Sequence, residues 1–426
     1  MDRSRSVLIE TLGCRLNQAD SALLSDRLRR AGFTVLEEHS GIRPDVVIVN
    51  SCSVTAAAAA KSRQAARRLH RAFPEAPVVL TGCSAELDYR CARTSEEGFM
   101  ILSNVEKRDL ISWLDALLAG KMPAAPMALS EAAEAAVFRE NAFGHFPFRT
   151  RAFLKIQEGC NNFCTYCIVP HSRGRERSRA FAEVLADCRQ AIAAGFPEIV
   201  LTGVNTCAYN DGGKTLNNLI ETLCETVPGE WRLRLSSTEP APGNTSLLEV
   251  MARYPGKVCR FLHLALQHGA DRILHAMHRR YTTGEYAAFA AEARRLMPDI
   301  HLGTDVIVGF PGETEQDFSE SCRFIESVGF ANLHIFSYSR RAGTPAALMP
   351  EQVPENIKKI RHRQLEEINQ NMAEAFRRSQ RGKTLPVIFE TVDENRLAHG
   401  WSDNYLAVTR PATEVPLRRI VPVTLE

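Results

Sequence analysis

Nowhere in these 426 residues is there a run both long and apolar enough to cross a bilayer, and the formal net charge is only +2. The first absence argues against a membrane protein. The second means that any affinity for nucleic acid must come from local patches, not from a global field. The amino terminus, MDRSRSVLIETLGC, starts basic, but Glu10 interrupts its apolar run within five residues, so it reads as neither a secretion signal nor a span. A cytoplasmic location is the expectation. With 45% hydrophobic and 24% charged residues, the composition excludes collagen-like, fibrous and disordered classes and suits two or three globular domains. Twelve cysteines in a reducing compartment are expected to ligate metal or to be buried, not to form disulfides.

Cys160, Cys164 and Cys167 stand in GCNNFCTYC, after the apolar stretch AFLKI. Their C-x3-C-x2-C spacing suits three irons of a 4Fe-4S cluster and leaves the fourth iron open, and an open iron can bind a small molecule and pass it an electron. Structural zinc is the competing reading. It needs a fourth ligand, for which only His171 is near, and the chain has no second paired-cysteine knuckle nearby.

The first ninety residues hold a second constellation. SVLIETLGC, DVVIVNSC and APVVLTGC are short β-branched runs that each end on a cysteine: Cys14, Cys52 and Cys83. Helical stretches separate them, DSALLSDRLRRAG and the alanine-rich VTAAAAAKSRQAARRLHRAF. Strand and helix in alternation imply a parallel sheet, whose carboxyl edge is where ligands bind. Any one of these cysteines can be a plain buried thiol. Three at equivalent strand ends make a second three-thiolate site.

The first motif, with Tyr166 just before its third cysteine, resembles the radical S-adenosylmethionine (SAM) superfamily. TLGC with Asn17, NSCSVT, TGCSAE and SNVEK extend the resemblance over nearly the whole chain to its methylthiotransferase family, which carries two 4Fe-4S clusters. Cys91, Cys188, Cys207, Cys224, Cys259 and Cys322 match neither triplet and read as structural.

Six strand-like runs follow an alanine- and proline-rich segment: AFLKIQ, EIVLTG, WRLRLSS, FLHLALQ, HLGTDVIVGF and NLHIFSYS, with helices between. They fit a partial (β/α)6 barrel, with chemistry at the carboxyl ends of the strands. The expected order is a parallel-sheet α/β domain over 4–119, a linker over 120–148, a radical SAM domain over 149–378 and a small β-domain over 379–426. Strand ends supply candidates for SAM. By resemblance Gly203 in TGVN meets the methionyl amine, though it also suits a tight turn. Ser236, Ser237 and Glu239 can receive SAM or substrate, while the serines suit a helix cap equally. Gln267 resembles the residue of an LQSG motif near the ribose, with His268 where that family has serine, and Gly309 with Gly312 resembles the adenine motif. In RGRERSR, Arg173, Arg175, Arg177 and Arg179 can be a solvated face or can meet the SAM carboxylate or a phosphate, with Arg179 the first choice.

Residues 354–378 read as one helix with an apolar stripe of Ile357, Ile360, Leu365, Ile368 and Met372. The short strands after it, with GWSDNYLAV, resemble the RNA-binding TRAM domain. Trp401 and Tyr405, beside Arg396, Arg410, Arg418 and Arg419, can stack bases and neutralise phosphates, or the two aromatics can be core.

QHGADRILHAMHRRYTTGEY and FSYSRRAGTPAALMPEQVP resemble most closely the branch acting on N6-threonylcarbamoyladenosine of tRNA. The resemblance implies addition of a methylthio group at C2 of that base, on a tRNA anticodon stem-loop, with SAM as both methyl donor and radical source. It also implies an electron donor such as a flavodoxin or ferredoxin, and a monomer without membrane attachment. Isopentenyladenosine or a ribosomal-protein aspartate are the alternative substrates. A non-catalytic iron–sulfur or zinc RNA-binding protein is disfavoured by the open-iron spacing.

Overall fold

The computed structural model describes residues 5–36, 41–88, 94–95, 97–104, 106–121, 150–240, 243 and 245–426. Nearly all of the expected linker, and Cys91, lie outside them. The described residues fall into two compact units. One holds the residues up to 121 together with 153–161 and 167–187, and the other holds 150–152, 162–166 and 188–426.

In the first unit, β1 (Ser6–Thr11), α1 (Arg15–Arg30), β2 (Thr34–Leu36), β3 (Val46–Ser51), α2 (Ala56–Ala72), β4 (Val78–Gly82), α3 (Cys83–Asp88), β5 (Met100–Ile101) and α4 (Leu110–Leu118) follow one another. The sheet is parallel throughout, in the order β2-β1-β3-β4-β5. β3 is buried along its length, and the alternation of a strand sends its side chains to two cores. Val46 and Ile48 pack with Leu24, Leu28 and Trp113 from α1 and α4, while Val47 and Val49 pack with Ala66 and Leu69 from α2. β2 and β5, at the two edges, are too short to stand out in the sequence.

Six further strands match the six expected runs: β6 (Arg151–Lys155), β9 (Glu198–Thr202), β12 (Arg232–Leu235), β14 (Phe261–Leu264), β15 (His301–Val308) and β16 (Asn332–Ser337). Between them lie the short pairs β7 (Gln157–Glu158) with β8 (Arg177–Ser178) and β10 (Asn210–Asp211) with β11 (Lys214–Thr215), and β13 (Ser237–Thr238). β9 pairs with β12, and β13-β14-β15-β16 form a parallel sheet, the two parts of an open barrel.

A helix over Glu355–Ser379 buries Leu365 but leaves Ile360 half exposed, so the expected stripe is only partly covered. The chain closes with an antiparallel sheet of β17 (Thr384–Val392), β18 (Leu397–Ser402), β19 (Ala407–Pro411) and β20 (Ile420–Thr424), in the order β19-β18-β17-β20. Val387, Phe389, Ala398, Val408 and Val423 form its core.

This sheet is fastened to the strands of the second unit by buried arginines. Arg232 donates to the carbonyls of Pro386 and Trp401 at 2.8 and 2.9 Å, and Arg234 to those of Asp403 and Ser402, both at 3.0 Å. Glu198 neutralises both arginines at 2.6 and 2.7 Å, and their charges hold its carboxyl well below the usual carboxylate range despite burial. Tyr405 lies between Trp401 and Phe261, at 4.7 Å from each ring, and the Arg234 guanidinium sits 5.0 Å from the Tyr405 ring. Of the two readings open for Trp401 and Tyr405, packing is the one the structure shows. Arg418 and Arg419 remain exposed.

Candidate active site

The three amino-terminal cysteines gather at the carboxyl edge of the first sheet. Cys52 follows β3 directly, Cys83 opens α3 directly after β4, and Cys14 is the N-cap of α1, which starts earlier than its periodicity suggests. Gly13 makes the approach possible. With φ at +98°, a Cβ there would lie 2.6 Å from Cys52 Cβ and 2.7 Å from its Sγ, so no other residue fits.

Each sulfur has a donor. Backbone N–H groups of Leu16 and Asn17 serve Cys14, that of Val54 serves Cys52, and Arg173 Nε donates to Cys83 Sγ at 3.2 Å. Burial pushes the Cys52 thiol up to about 11, against the pull of the Val54 N–H. Cys14 is exposed as a residue, yet desolvation of its sulfur pushes it up too, against Arg173. Binding a cluster at Cys14 and Cys52 therefore has to release protons, because the metal-ligating form of cysteine is the thiolate. A three-iron hold by Cys14, Cys52 and Cys83 fits these residues.

Arg173 is the hub beneath them. It reaches Glu158 at 2.7 Å, Asn17 Oδ1 at 2.5 Å and Asp20 at 3.0 Å. Asp20 also takes Lys155 at 2.6 Å and Lys107 at 3.5 Å, and these cations hold its carboxyl far below the ordinary range although burial opposes it. Burial likewise works against the Arg173 charge, but Cys83, Asp20 and Glu158 outweigh it. Asn17 ties the sheet edge together through the carbonyls of Leu12 and Ser51, at 2.8 and 2.9 Å.

Arg179 is placed differently from its expected role. It is buried, pairs with Asp187 at 2.8 Å and donates to the Lys155 carbonyl at 3.2 Å, so its fork is spent on holding the chain after β8. Sequence reasoning missed Asp20, Lys107, Lys155 and Glu158 altogether, because they come together only in the folded unit.

The second triplet spans eight consecutive residues, with Cys160 and Cys167 in the first unit and Cys164 in the second. Gly159, with φ at +72°, lies so close to the following chain that a Cβ would meet Arg175 O at 2.0 Å, and Cys160 N–H donates to Gly174 O at 3.2 Å. Cys164 is buried and receives a hydrogen bond from Arg279 Nη1 at 3.2 Å. Arg279 pairs with Glu239 at 2.6 Å, and Glu239 also accepts from Asn205 Nδ2 at 3.1 Å and from Asn162. Tyr166 packs against Ile273, Met277, Ile307, Phe310 and Tyr338. Cys164, with a cation on its sulfur, and Cys160, held by its N–H to the chain at Gly174, are each suited to ligate iron.

The other candidates are placed as follows. Gly203 has no left-handed φ, and Ser236 is buried with its hydroxyl unpartnered. Gln267 is left-handed at φ +73°, its N–H on Asp305 O and its carbonyl accepting from Ile307 N, both at 2.8 Å. Gly309 and Phe310 N–H groups both serve the Glu313 carboxylate, the latter at 2.9 Å, and the Lys358 side chain runs over Gly309. His268 is buried, accepting from Ala270 N–H at 3.1 Å. Of the cysteines matching neither triplet, Cys188 and Cys259 are fully buried, and burial pushes Cys259 up to about 12.

The Radical SAM superfamily model matches residues 154–325, and that of the uncharacterized protein family UPF0004 matches 6–102. The threonylcarbamoyladenosine tRNA methylthiotransferase MtaB of Bacillus subtilis (strain 168) is 34% identical, covering 99% of this chain and 93% of its own. This chain belongs to the radical SAM methylthiotransferase family. The tRNA-2-methylthio-N(6)-dimethylallyladenosine synthase of Carboxydothermus hydrogenoformans is 33% identical, over 95% of this chain and 93% of that one. The radical SAM methyltransferase TsrM of Kitasatospora setae, solved with cobalamin and a [4Fe-4S] cluster, shares the fold at TM-score 0.61 and 15% identity, over 81% of this chain and 77% of its own. Among the described residues no helix is long and apolar enough to cross a membrane.

Proposed function

We propose that this methylthiotransferase acts on N6-threonylcarbamoyladenosine beside the anticodon of tRNA, placing a methylthio group on C2 with two 4Fe-4S clusters. The observation that carries the reading is the pair of three-cysteine sites, each with a buried arginine on one sulfur, in a chain similar over almost its whole length to enzymes named for that substrate. Relatives named for dimethylallyladenosine are nearly as similar, so identity alone does not separate the two substrates. The t6A branch is favoured by the stretches at 267–286 and 336–354.

Cys160, Cys164 and Cys167 would hold the cluster that binds SAM, and Cys14, Cys52 and Cys83 the second one. When bound, the first supplies one-electron reduction of SAM and the second a transferable sulfur. The chain's own part is to fix the thiolates. Arg279 and Glu239 hold the Cys164 side of its loop, Arg173 holds Cys83, and Gly203, Ser236, Gln267 and Gly309 line strand ends where SAM would lie. Tyr166 braces the loop. tRNA would be held through exposed basic residues such as Arg418 and Arg419, and a small reduced protein of flavodoxin or ferredoxin type would supply electrons in the cytoplasm.

Two variants test the division. Cys164→Ala should abolish deoxyadenosine formation under reducing conditions, whereas Cys52→Ala should keep uncoupled SAM cleavage and lose methylthio product. Equal loss of cleavage in both would overturn the assignment of roles.

A further inference from the structure

A polar cluster on the barrel strands takes no part in either triplet. The register sets His263 beside Gly303 and Asp305 beside His334. Side chains alternate along a strand, so these residues share one face with Phe336, while Leu262, Leu264, Leu302, Val306 and Leu333 take the other. The second face is apolar and buried. The first carries the polar trio between Phe261, Ile307 and Phe336 and becomes progressively open, from buried His263 through Asp305, with 24% of its side chain exposed, to His334 at 56%.

His263 Nε2 lies 2.9 Å from Asp305 Oδ1, and His334 Nδ1 lies 3.4 Å from the same oxygen. One donor atom from each residue falls within 4.8 Å of the other two. The two imidazoles face each other with centroids 4.7 Å apart and planes at 31°. Gly303 keeps the floor clear, since a Cβ there would come within 3.2 Å of His263 Nδ1.

A hydrogen-bonded His–Asp pair accounts for His263 alone. His334 makes only a long contact of 3.4 Å to the same oxygen and packs its ring on that of His263, so two imidazoles converge on one carboxylate oxygen. A shared ion does account for it. Metal–ligand bonds of about 2.0–2.1 Å at tetrahedral angles put neighbouring donor atoms about 3.3 Å apart and two imidazole centroids about 5 Å apart. The donor separations of 2.9 and 3.4 Å bracket the first value, and the 4.7 Å between centroids lies close to the second.

We propose that His263, Asp305 and His334 form a binding site for a single divalent cation of the zinc class, with its fourth position on the open side for an oxygen ligand. Two imidazoles and a carboxylate suit zinc or another late first-row divalent ion, and the absence of sulfur sets the site apart from the cysteine triplets. The site stands whether or not the substrate is the one proposed above, because it is read without tRNA.

The test uses the full chain with its clusters reconstituted, dialysed anaerobically against zinc and then against metal-free buffer. Zinc is counted by mass spectrometry, and its ligands are read by X-ray absorption at the zinc edge. We expect about one zinc per chain, with nitrogen and oxygen neighbours only, and binding at least about tenfold weaker in His263→Ala and His334→Ala at unchanged iron content. His334 is exposed, so its variant decides the matter even if His263→Ala does not fold. No retained zinc, a sulfur shell near 2.3 Å, or zinc undiminished in the His334 variant would each overturn the proposal.

Discussion

Arg279 Nη1 donates to Cys164 Sγ at 3.2 Å while its other terminal nitrogen pairs with Glu239 at 2.6 Å, so one buried cation spans a cluster ligand and a carboxylate. A fixed positive charge favours the more reduced, more negative state of a cluster held by that cysteine. Replacing it by Arg279→Gln should therefore lower the midpoint potential of the barrel cluster, by an amount on the order of 100 mV for a unit charge at this range. Arg279→Lys should recover part of the shift. An anaerobic redox titration followed by electron paramagnetic resonance reads it directly, and an unmoved potential would remove Arg279 from any electronic role.

Arg173 occupies the matching place beside Cys83, but it also neutralises Asp20 and Glu158. Arg173→Gln should cost about 3–5 kcal/mol in stability, because buried carboxylates lose a partner. Reconstituted protein should hold about eight irons, and this variant should approach about four while still cleaving SAM. Retention of all eight would show that the arginine is not needed to hold the first site.

His301 gives a pH dependence with a definite sign. Burial, helped by Arg234, pushes its imidazole down to about 3. A depressed folded value means that its contribution is whole above the unfolded value, near about 6.5, and is lost as pH falls from there toward 3. The urea midpoint should drop between about pH 7.5 and about pH 5.5 by more in the native chain than in His301→Phe. Equal drops would mean that other groups dominate.

The carboxyl-terminal sheet makes separable predictions for RNA. Arg418→Ala with Arg419→Ala should reduce the slope of log affinity against log salt by roughly 1.5 to 2 for an anticodon stem-loop, with product identity unchanged. Trp401→Ala should act on stability, because that ring stacks on Tyr405. A selective loss of RNA affinity at full stability in Trp401→Ala would contradict the packing role.

What the sequence made legible follows from the range of the interactions. The C-x3-C-x2-C loop is a local spacing, and the three strand-end cysteines follow from strand–helix alternation, so both could be read from the chain. The six barrel strands were legible for the same reason. Asp20, Lys107, Lys155 and Arg173 meet across some 150 residues, and no local pattern marks them. RGRERSR reads as a charge run, which does not tell that Arg173 lies under a cysteine while Arg179 turns to Asp187. Registers between β14, β15 and β16 are equally silent in the chain, which is why His263, Asp305 and His334 appear only in the fold.

The reaction and its substrate can be tested together in one measurement. Purified, cluster-loaded enzyme with SAM and a reductant is offered anticodon stem-loops carrying either threonylcarbamoyladenosine or isopentenyladenosine, and the nucleosides are analysed by mass spectrometry. The expected product is the 2-methylthio derivative of threonylcarbamoyladenosine, with little of the other, whose apolar group leaves polar site residues without partners. Methylthiolation of the isopentenyl substrate at a comparable rate would contradict it.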